Sequence, residues 1–228
     1  MTPAPSIALL LTGNELMTGD TLDSNSAAIA TALADYHVGV AEKVTVGDHP
    51  ERLLHSLDRL CREHKVIIMN GGLGPTDDDL TAAIIAQLVG VELVENPDAR
   101  DHVVNWCSQR GFKATGANLK QALLPANCTL IHNPRGSALG FAVIHGGALI
   151  LTTPGVPGEL RAMLPEVCQR LRDHLGDTIV ATQQYTLRLQ TFGIGESAIQ
   201  EIVRQHISDW PEQVSLGFRS GLPQLELK

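Results

Sequence analysis

The sequence predicts a three-layer, doubly wound α/β fold with a mostly parallel sheet and a small C-terminal α+β appendage. Three observations carry this. Short apolar runs alternate with longer stretches of helical periodicity, the signature of strands joined by crossover helices. The chain is 43% hydrophobic yet only 4% aromatic, so its core is Leu, Val, Ile and Ala, the composition of strands covered on both faces. Several apolar runs end in Gly-, Pro- or Thr-rich polar loops, as strands do when their carboxyl ends open onto a crevice. With 228 residues, one main domain (1–175) and a smaller region (176–228) are expected, with a boundary near Gly176-Asp177.

Ile7–Leu11 is a buried strand ending at Thr12-Gly13. Asp23, Ser24, Asn25 and Ser26 offer N-caps for a helix whose apolar positions are Ile29, Ala32, Leu33 and Tyr36. Val38–Val46 reads as a second strand, and Pro50 opens a helix with a stripe through Leu53, Leu57 and Leu60. Val66–Met69 is the clearest strand, followed by a Gly-rich loop and a helix that begins at the aspartates 77–79 and closes at Gly90. A helix spans Pro97 to Gln109, with Gly111 behind it. Ala148–Leu151 is a further buried strand, and a long helix then carries Leu160, Met163, Leu164, Val167 and Leu171. Beyond the boundary, Ala181–Leu189, Val214–Phe218 and Leu222–Leu227 read as strands and Glu196–His206 as a helix.

A formal net charge of −8 and the absence of any Lys/Arg run argue against a nucleic-acid partner. The run Ile7–Leu11 is too short to cross a membrane and has no cationic flank, so a cytoplasmic protein is expected. Four widely spaced cysteines without a C-x-x-C pair read as free thiols rather than disulfides or a zinc site. Neither an H-E-x-x-H pair nor a G-x-S-x-G elbow is present, which leaves zinc and nucleophilic catalysis without candidates.

Three polar loops carry the chemistry. The first is Asn70 to Thr81, with Gly71, Gly72, Gly74, Thr76 and the aspartates 77–79. Its glycines let backbone approach a ligand closely, and a helix N-terminus behind them favours anions. Carboxylates beside an anion site make sense when a divalent cation bridges them to phosphate oxygens. Asp77 suits a simple helix cap, while Asp78 and Asp79 are the candidate metal ligands. The second loop joins Thr12, Gly13 and Glu15 to Asp23–Ser26 and so includes Asn25, though Asp23–Ser26 alone also makes a good helix cap. The third runs from Thr153 through Pro154 and Gly155 to Glu159, with Glu159 and Arg161 able to reach inward. Between them, Asn118–Gln121 and Asn133–Phe141, including Gly136 and Ser137, offer phosphate or base contacts. Lys120 and Arg135 are cations to set near phosphate, with a solvated surface charge as an almost equal rival for each.

These residues resemble a known family. Thr12-Gly-x-Glu-Leu-x-x-Gly19, Asp23-Ser-Asn-Ser26 and Gly71-Gly-Leu-Gly-Pro-Thr-x-Asp-Asp-Leu-Thr81 are similar to the signatures of the MoaB/MogA/MoeA-type molybdopterin-binding domain. Lys120-Gln-Ala122, Gly136-Ser-Ala138 and Pro154-Gly-Val-Pro-x-Glu159 follow its CinA-like form, and Thr191-Phe-Gly-Ile-Gly-Glu-Ser197 resembles the KH-like middle region of CinA. Asn14, Ser137, Leu139 and Val156 depart from the residues usual there, and none of these changes removes a presumed metal ligand.

The resemblance implies a domain holding a nucleotide or pterin at the sheet's carboxyl edge. It also implies metal-dependent hydrolysis of ADP-ribose to AMP and ribose 5-phosphate with Mg²⁺, Mn²⁺ or Co²⁺. Asp79 matches the aspartate shared across these families, Asp78 the additional one of the CinA form, and Glu15 the glutamate of the first loop. Catalysis is thereby expected of Asp78, Asp79 and Glu15, and ligand binding of Thr81, Lys120, Ser137 and the loop residues named above. A non-catalytic pterin- or nucleotide-binding module and an adenylyl- or metal-transferase of molybdenum-cofactor assembly are the alternatives. The related families form dimers or trimers, so a homo-oligomer is expected. CinA proteins continue into a nicotinamide-nucleotide deamidase domain, an activity not assigned to residues 1–228. The Gly-Ile-Gly segment lacks a G-x-x-G loop and basic surroundings, against a nucleic-acid role for the appendage.

Overall fold

The computed structural model describes residues 6–36, 38–176, 185–207, 209–221 and 223–228. The chain divides into two compact units, the first ending at Gln183 and the second beginning at Gln184. Gly176 ends the long helix of the first unit, and Asp177 lies outside the described residues.

In the first unit a six-stranded sheet is built from β1 (Ile7–Thr12), β2 (Val40–Val46), β3 (Val66–Asn70), β6 (Thr129–Ile131), β7 (Gly140–His145) and β8 (Ala148–Thr153), in the order β2-β1-β3-β8-β7-β6. β2, β1, β3 and β8 run parallel, while β7 and β6 close the sheet as antiparallel strands. The two short strands β4 (Leu93–Glu95) and β5 (Leu123–Pro125) pair separately.

Every residue of β1, β3 and β8 is buried, because helices cover both faces and a period of two then sorts the side chains between two cores. Leu9, Leu11 and Ile68 pack with Ile29 and Leu33 of α2 (Asn25–Ala34) and with Met163 of α7 (Pro157–Leu175). Leu10, Ile67 and Met69 face the other way, onto Leu57 of α3 (Pro50–Glu63), Ile85 of α4 (Thr81–Val89) and Ala99 of α5 (Pro97–Ser108). The chain steps from β1 out to β2 and returns past β1 to β3. That reversal opens a crevice at the carboxyl ends of β1 and β3, the usual ligand position in open α/β sheets.

Several expectations shift. The second strand starts at Val40, not Val38, and β8 continues to Thr153. Asn14–Thr18 forms a short helix, α1, inside the first loop. The helix after the Gly-rich loop begins at Thr81, not at the aspartates. Asp79 Oδ2 instead accepts the Thr76 N–H at 2.9 Å, and Asp79 N–H returns to the Thr76 carbonyl at 3.2 Å, which makes residues 76–79 a closed turn. The three-residue strands β4, β5 and β6, together with β7 and the one-turn helix α6 (Gly116–Leu119), were not expected.

The second unit holds β9 (Leu189–Phe192), β10 (Phe218–Gly221) and β11 (Gln224–Leu227) in an antiparallel sheet of order β10-β11-β9, and the helix α8 (Glu196–His206), the latter as expected. Its strands lie later than the apolar pattern suggested. Residues 181–184 and Leu222 of the expected strands fall outside the described residues.

All four cysteines are free; Cys61, Cys107 and Cys168 are buried and Cys128 is half-buried. Burial pushes the thiols up, to about 12 for Cys61 and about 11 for Cys168. No helix among the described residues is long and apolar enough to cross a membrane.

The two-core packing predicts a contrast between two isoleucines on the sheet. Ile68→Ala, at a site with 0% exposure, costs about 2–5 kcal/mol in urea unfolding. Ile144→Ala, at 63% exposure, changes stability by no more than about 0.5 kcal/mol.

Candidate functional site

The strand register sets the site. Asn70 at the end of β3 lies level with Leu11 of β1 and Thr153 of β8. Thr12, Gly71 and Pro154 therefore leave the same edge together. Gly71 and Gly72 take positive φ values of 106° and 64°, and neither has room for a side chain. A Cβ on Gly71 would sit 2.6 Å from the Thr12 carbonyl oxygen, and one on Gly72 2.5 Å from Thr81 Oγ1.

Beneath the loops runs a buried carboxamide network. Asn70 Nδ2 donates to the Pro154 carbonyl at 2.7 Å and to Thr153 Oγ1 at 3.1 Å. Asn25 Nδ2 donates to Asn70 Oδ1 at 2.9 Å and to the Gly155 carbonyl at 2.7 Å. The Thr81 hydroxyl, fully buried, donates to the Gly71 carbonyl at 2.8 Å, and Gly71 N–H to the Thr153 carbonyl at 2.9 Å.

Above this floor lies a cleft of about 540 Å³. The first loop contributes Thr12, Gly13 and Glu15; the Gly-rich loop contributes Gly71, Gly72, Gly74, Asp78 and Asp79. From the other expected segments, Gln121, Ser137, Ala138, Pro154, Gly155 and Glu159 also line it. Asn25 and Thr81 sit in the floor, and Thr76 forms the turn with Asp79. Lys120 donates to the Thr76 carbonyl and is not among the lining residues. Gly136 N–H bonds to Asn133 Oδ1 at 2.9 Å, while Asn133 Nδ2 also holds Glu159 Oε2 at 2.7 Å.

One contributor escaped the sequence reading, and Asn70, named there as the start of the Gly-rich loop, was given no role of its own. Asp48 lines the cleft, where its oxygens accept the Thr12 hydroxyl at 2.7 Å and the Asn14 N–H at 2.9 Å. The only local signal was Gly47-Asp48-His49-Pro50, which reads as a turn before a helix.

Electrostatically the wall is acidic. Glu15, Asp48, Asp78, Asp79 and Glu159 line the cleft, with no Lys or Arg among the lining residues. The Thr76 hydroxyl and the Asp78 backbone N–H hold the Asp78 carboxyl below the usual carboxylate range, with Lys120 adding to the effect. All the ionisable donors of the wall are oxygens, with no His or Cys, a set that suits a hard divalent cation sharing phosphate oxygens. α7 begins at Pro157 on the cleft wall, so its N-terminal dipole end adds a favourable potential for an anion.

A second cluster stands at the amino ends of the strands. Glu42, Glu63 and His64 bring ligand atoms within 4.8 Å of one another, but Arg59 pairs with both glutamates at 2.6 Å. Arg59, and after it His64, holds the Glu42 carboxyl down at about 2, against an ordinary 4.5. This is an ion-pair network tying β2 to α3.

An open, mostly parallel sheet with three loops converging on its carboxyl edge defines a small-molecule-binding α/β domain. Residues 8–173 match the family model described as a probable molybdopterin binding domain, and the chain belongs to that family. It is similar to the CinA-like protein of Colwellia psychrerythraea, 46% identical over 226 residues, which is 99% of this chain and 52% of that protein. The chain thus spans about half the length of the curated relatives it matches. A solved CinA protein of unknown function from Thermoplasma acidophilum matches with TM-score 0.67 and 29% identity, over 74% of this chain and 98% of its own. The molybdopterin biosynthesis enzyme MoaB of Thermus thermophilus shares the fold, with TM-score 0.52 and 23% identity, over 78% of this chain and 99% of its own.

Two measurements check this geometry. Asn70→Ala leaves the buried Pro154 carbonyl and one of the two Asn25 amide N–H groups without their partner, so it costs about 2–3 kcal/mol in urea unfolding. Because the Glu42 pKa is depressed on folding, its stabilisation is present above about pH 4.5 and is lost as the pH falls toward about 2. Wild type is therefore more stable than Glu42→Gln at pH 5. The gap between their urea midpoints closes on acidification toward pH 2.

Proposed function

We propose that the cleft binds a nucleotide pyrophosphate together with a divalent cation and hydrolyses it, with ADP-ribose giving AMP and ribose 5-phosphate. The observation that carries this reading is the five-carboxylate wall without Lys or Arg beside a glycine loop shaped for close backbone approach. Unaided, a pyrophosphate would be repelled there; paired with Mg²⁺, Mn²⁺ or Co²⁺ it is neutralised, and the carboxylates become ligands. Membership of a molybdopterin-binding family supports a phosphate-bearing pterin or nucleotide as the ligand class.

Asp78 and Asp79 are the residues that would hold the cation. Once bound, it supplies charge neutralisation at the phosphate oxygens and activation of the attacking water. The loop amides divide the remaining work. Gly71 and Thr76 spend theirs on Thr153 and Asp79, which leaves Gly72, Leu73 and Gly74 to orient the phosphates. Glu15, exposed at the start of α1, orients the water and takes its proton as one P–O bond of the pyrophosphate breaks and another forms to the water oxygen.

With Mg²⁺, Mn²⁺ or Co²⁺ present, the protein releases AMP from ADP-ribose, and a chelator stops the release. Asp78→Asn lowers kcat/KM about a hundredfold, the scale expected when one charge-stabilising group leaves a site. No AMP from wild type, or equal AMP from Asp79→Asn, overturns the mechanism. ADP-ribose that raises the melting temperature without being consumed identifies a binding module instead.

A further inference from the structure

Two neighbouring side chains of one 3-10 turn (Lys120–Ala122) grip the Gly-rich loop. The Lys120 ammonium donates to the Thr76 carbonyl, and the Gln121 carboxamide donates to the Leu73 carbonyl at 3.3 Å. These carbonyls bracket Gly74-Pro75, a stretch that belongs to no strand or helix. The Thr76 carbonyl also accepts the Asp79 N–H at 3.2 Å, while Asp79 Oδ2 takes the Thr76 N–H at 2.9 Å and its hydroxyl at 2.6 Å. Lys120 thus closes on the four-residue turn that carries Asp78 and Asp79, through a charge-assisted bond stronger than a neutral one. Its ammonium is engaged by backbone, and Lys120 is not among the residues lining the cleft. Gln121 is buried and does line the cleft wall, so the grip reaches from the outer side of the loop to its inner one.

We infer that Lys120 and Gln121 are positioning residues that clamp the Leu73 and Thr76 carbonyls and so set the turn presenting Asp78 and Asp79. Their importance for function rests on the reading of those two carboxylates as cation ligands. The clamp differs from a direct phosphate contact, which would put the ammonium in the cleft. Without Lys120 the turn opens more often, and the carboxylates must be ordered at the moment a cation binds.

The test is made on the chain in wild-type, Lys120→Met and Lys120→Arg forms. Amide exchange at Thr76 and Asp79 is followed by NMR without metal or substrate, Mn²⁺ binding by electron paramagnetic resonance, and inorganic pyrophosphate binding by calorimetry at saturating Mg²⁺. Lys120→Met should speed exchange at both amides about fivefold, the equivalent of one net hydrogen bond. It should also weaken Mn²⁺ binding about tenfold, as loss of a group that orients metal ligands does, and Lys120→Arg should restore most of both. Unchanged exchange in Lys120→Met overturns the clamp. If pyrophosphate affinity also falls in that variant, Lys120 is a phosphate ligand instead. Wild type that takes no Mn²⁺ refutes the cation reading, and the exchange rates then support or overturn the clamp by themselves.

Discussion

The Asn70 carboxamide sits where the central strand of the sheet ends and three loops begin, and the shape of the cleft follows from satisfying it. The residue is 2% exposed, so its two N–H donors and its carbonyl must find partners inside the protein or cost stability. They find them in Pro154, Thr153 and Asn25, which belong to the other two loops. One side chain thereby fixes the register of the Gly-rich loop against its neighbours. An apolar residue of the same size would pack but would leave Asn25 and Pro154 with unmet groups. Asn25 Oδ1 alone of this network finds no partner among the described residues.

The same economy governs the charges of the wall. Asp48, Asp79 and Glu159 each accept hydrogen bonds from the protein, from Thr12 and Asn14, from Thr76, and from Asn133. Their carboxylates are held in place before any ligand arrives, which reduces the ordering cost of binding. Glycine is required for this arrangement at Gly72, whose missing side chain lets the loop lie directly on the Thr81 hydroxyl.

Much of the scaffold was legible because it is written in apolar runs. Ile7–Leu11 and Val66–Met69 are buried on both faces and show up as unbroken hydrophobic segments. The helices α3 and α7 announce themselves by stripes and by Pro50 and Pro157 in their first turns. The three-residue strands β4, β5 and β6 are too short to hold a periodic signal, and all of β4 is exposed, so no buried face marks it. In the second unit Leu187 and Leu189 stand 71% and 51% exposed, which separates apolar composition from strand position. The site was legible as loops but not as layers. Nothing in the sequence distinguishes a polar residue that faces the ligand from one that holds the floor, and Asn25 and Thr81 took the second place through contacts across 45 and 10 residues. Asp48 was hidden for the same reason, because its partners lie 36 and 34 residues away.

The charge balance of the chain gives these local facts a direction. A protein of net charge −8 with an acidic cleft repels free anions at long range, an effect that salt weakens beyond a Debye length of about 8 Å. Under the proposed function, attraction comes from close range, where the N-terminus of α7 and the loop amides act as fixed dipoles and a cation would cancel the carboxylates. Selectivity follows on that proposal, because a free anion meets five carboxylates against the dipoles alone, whereas the metal-neutralised pair would find its ligands among them. On the proposed function, the acidic wall is in this sense a filter for the metal-bound form.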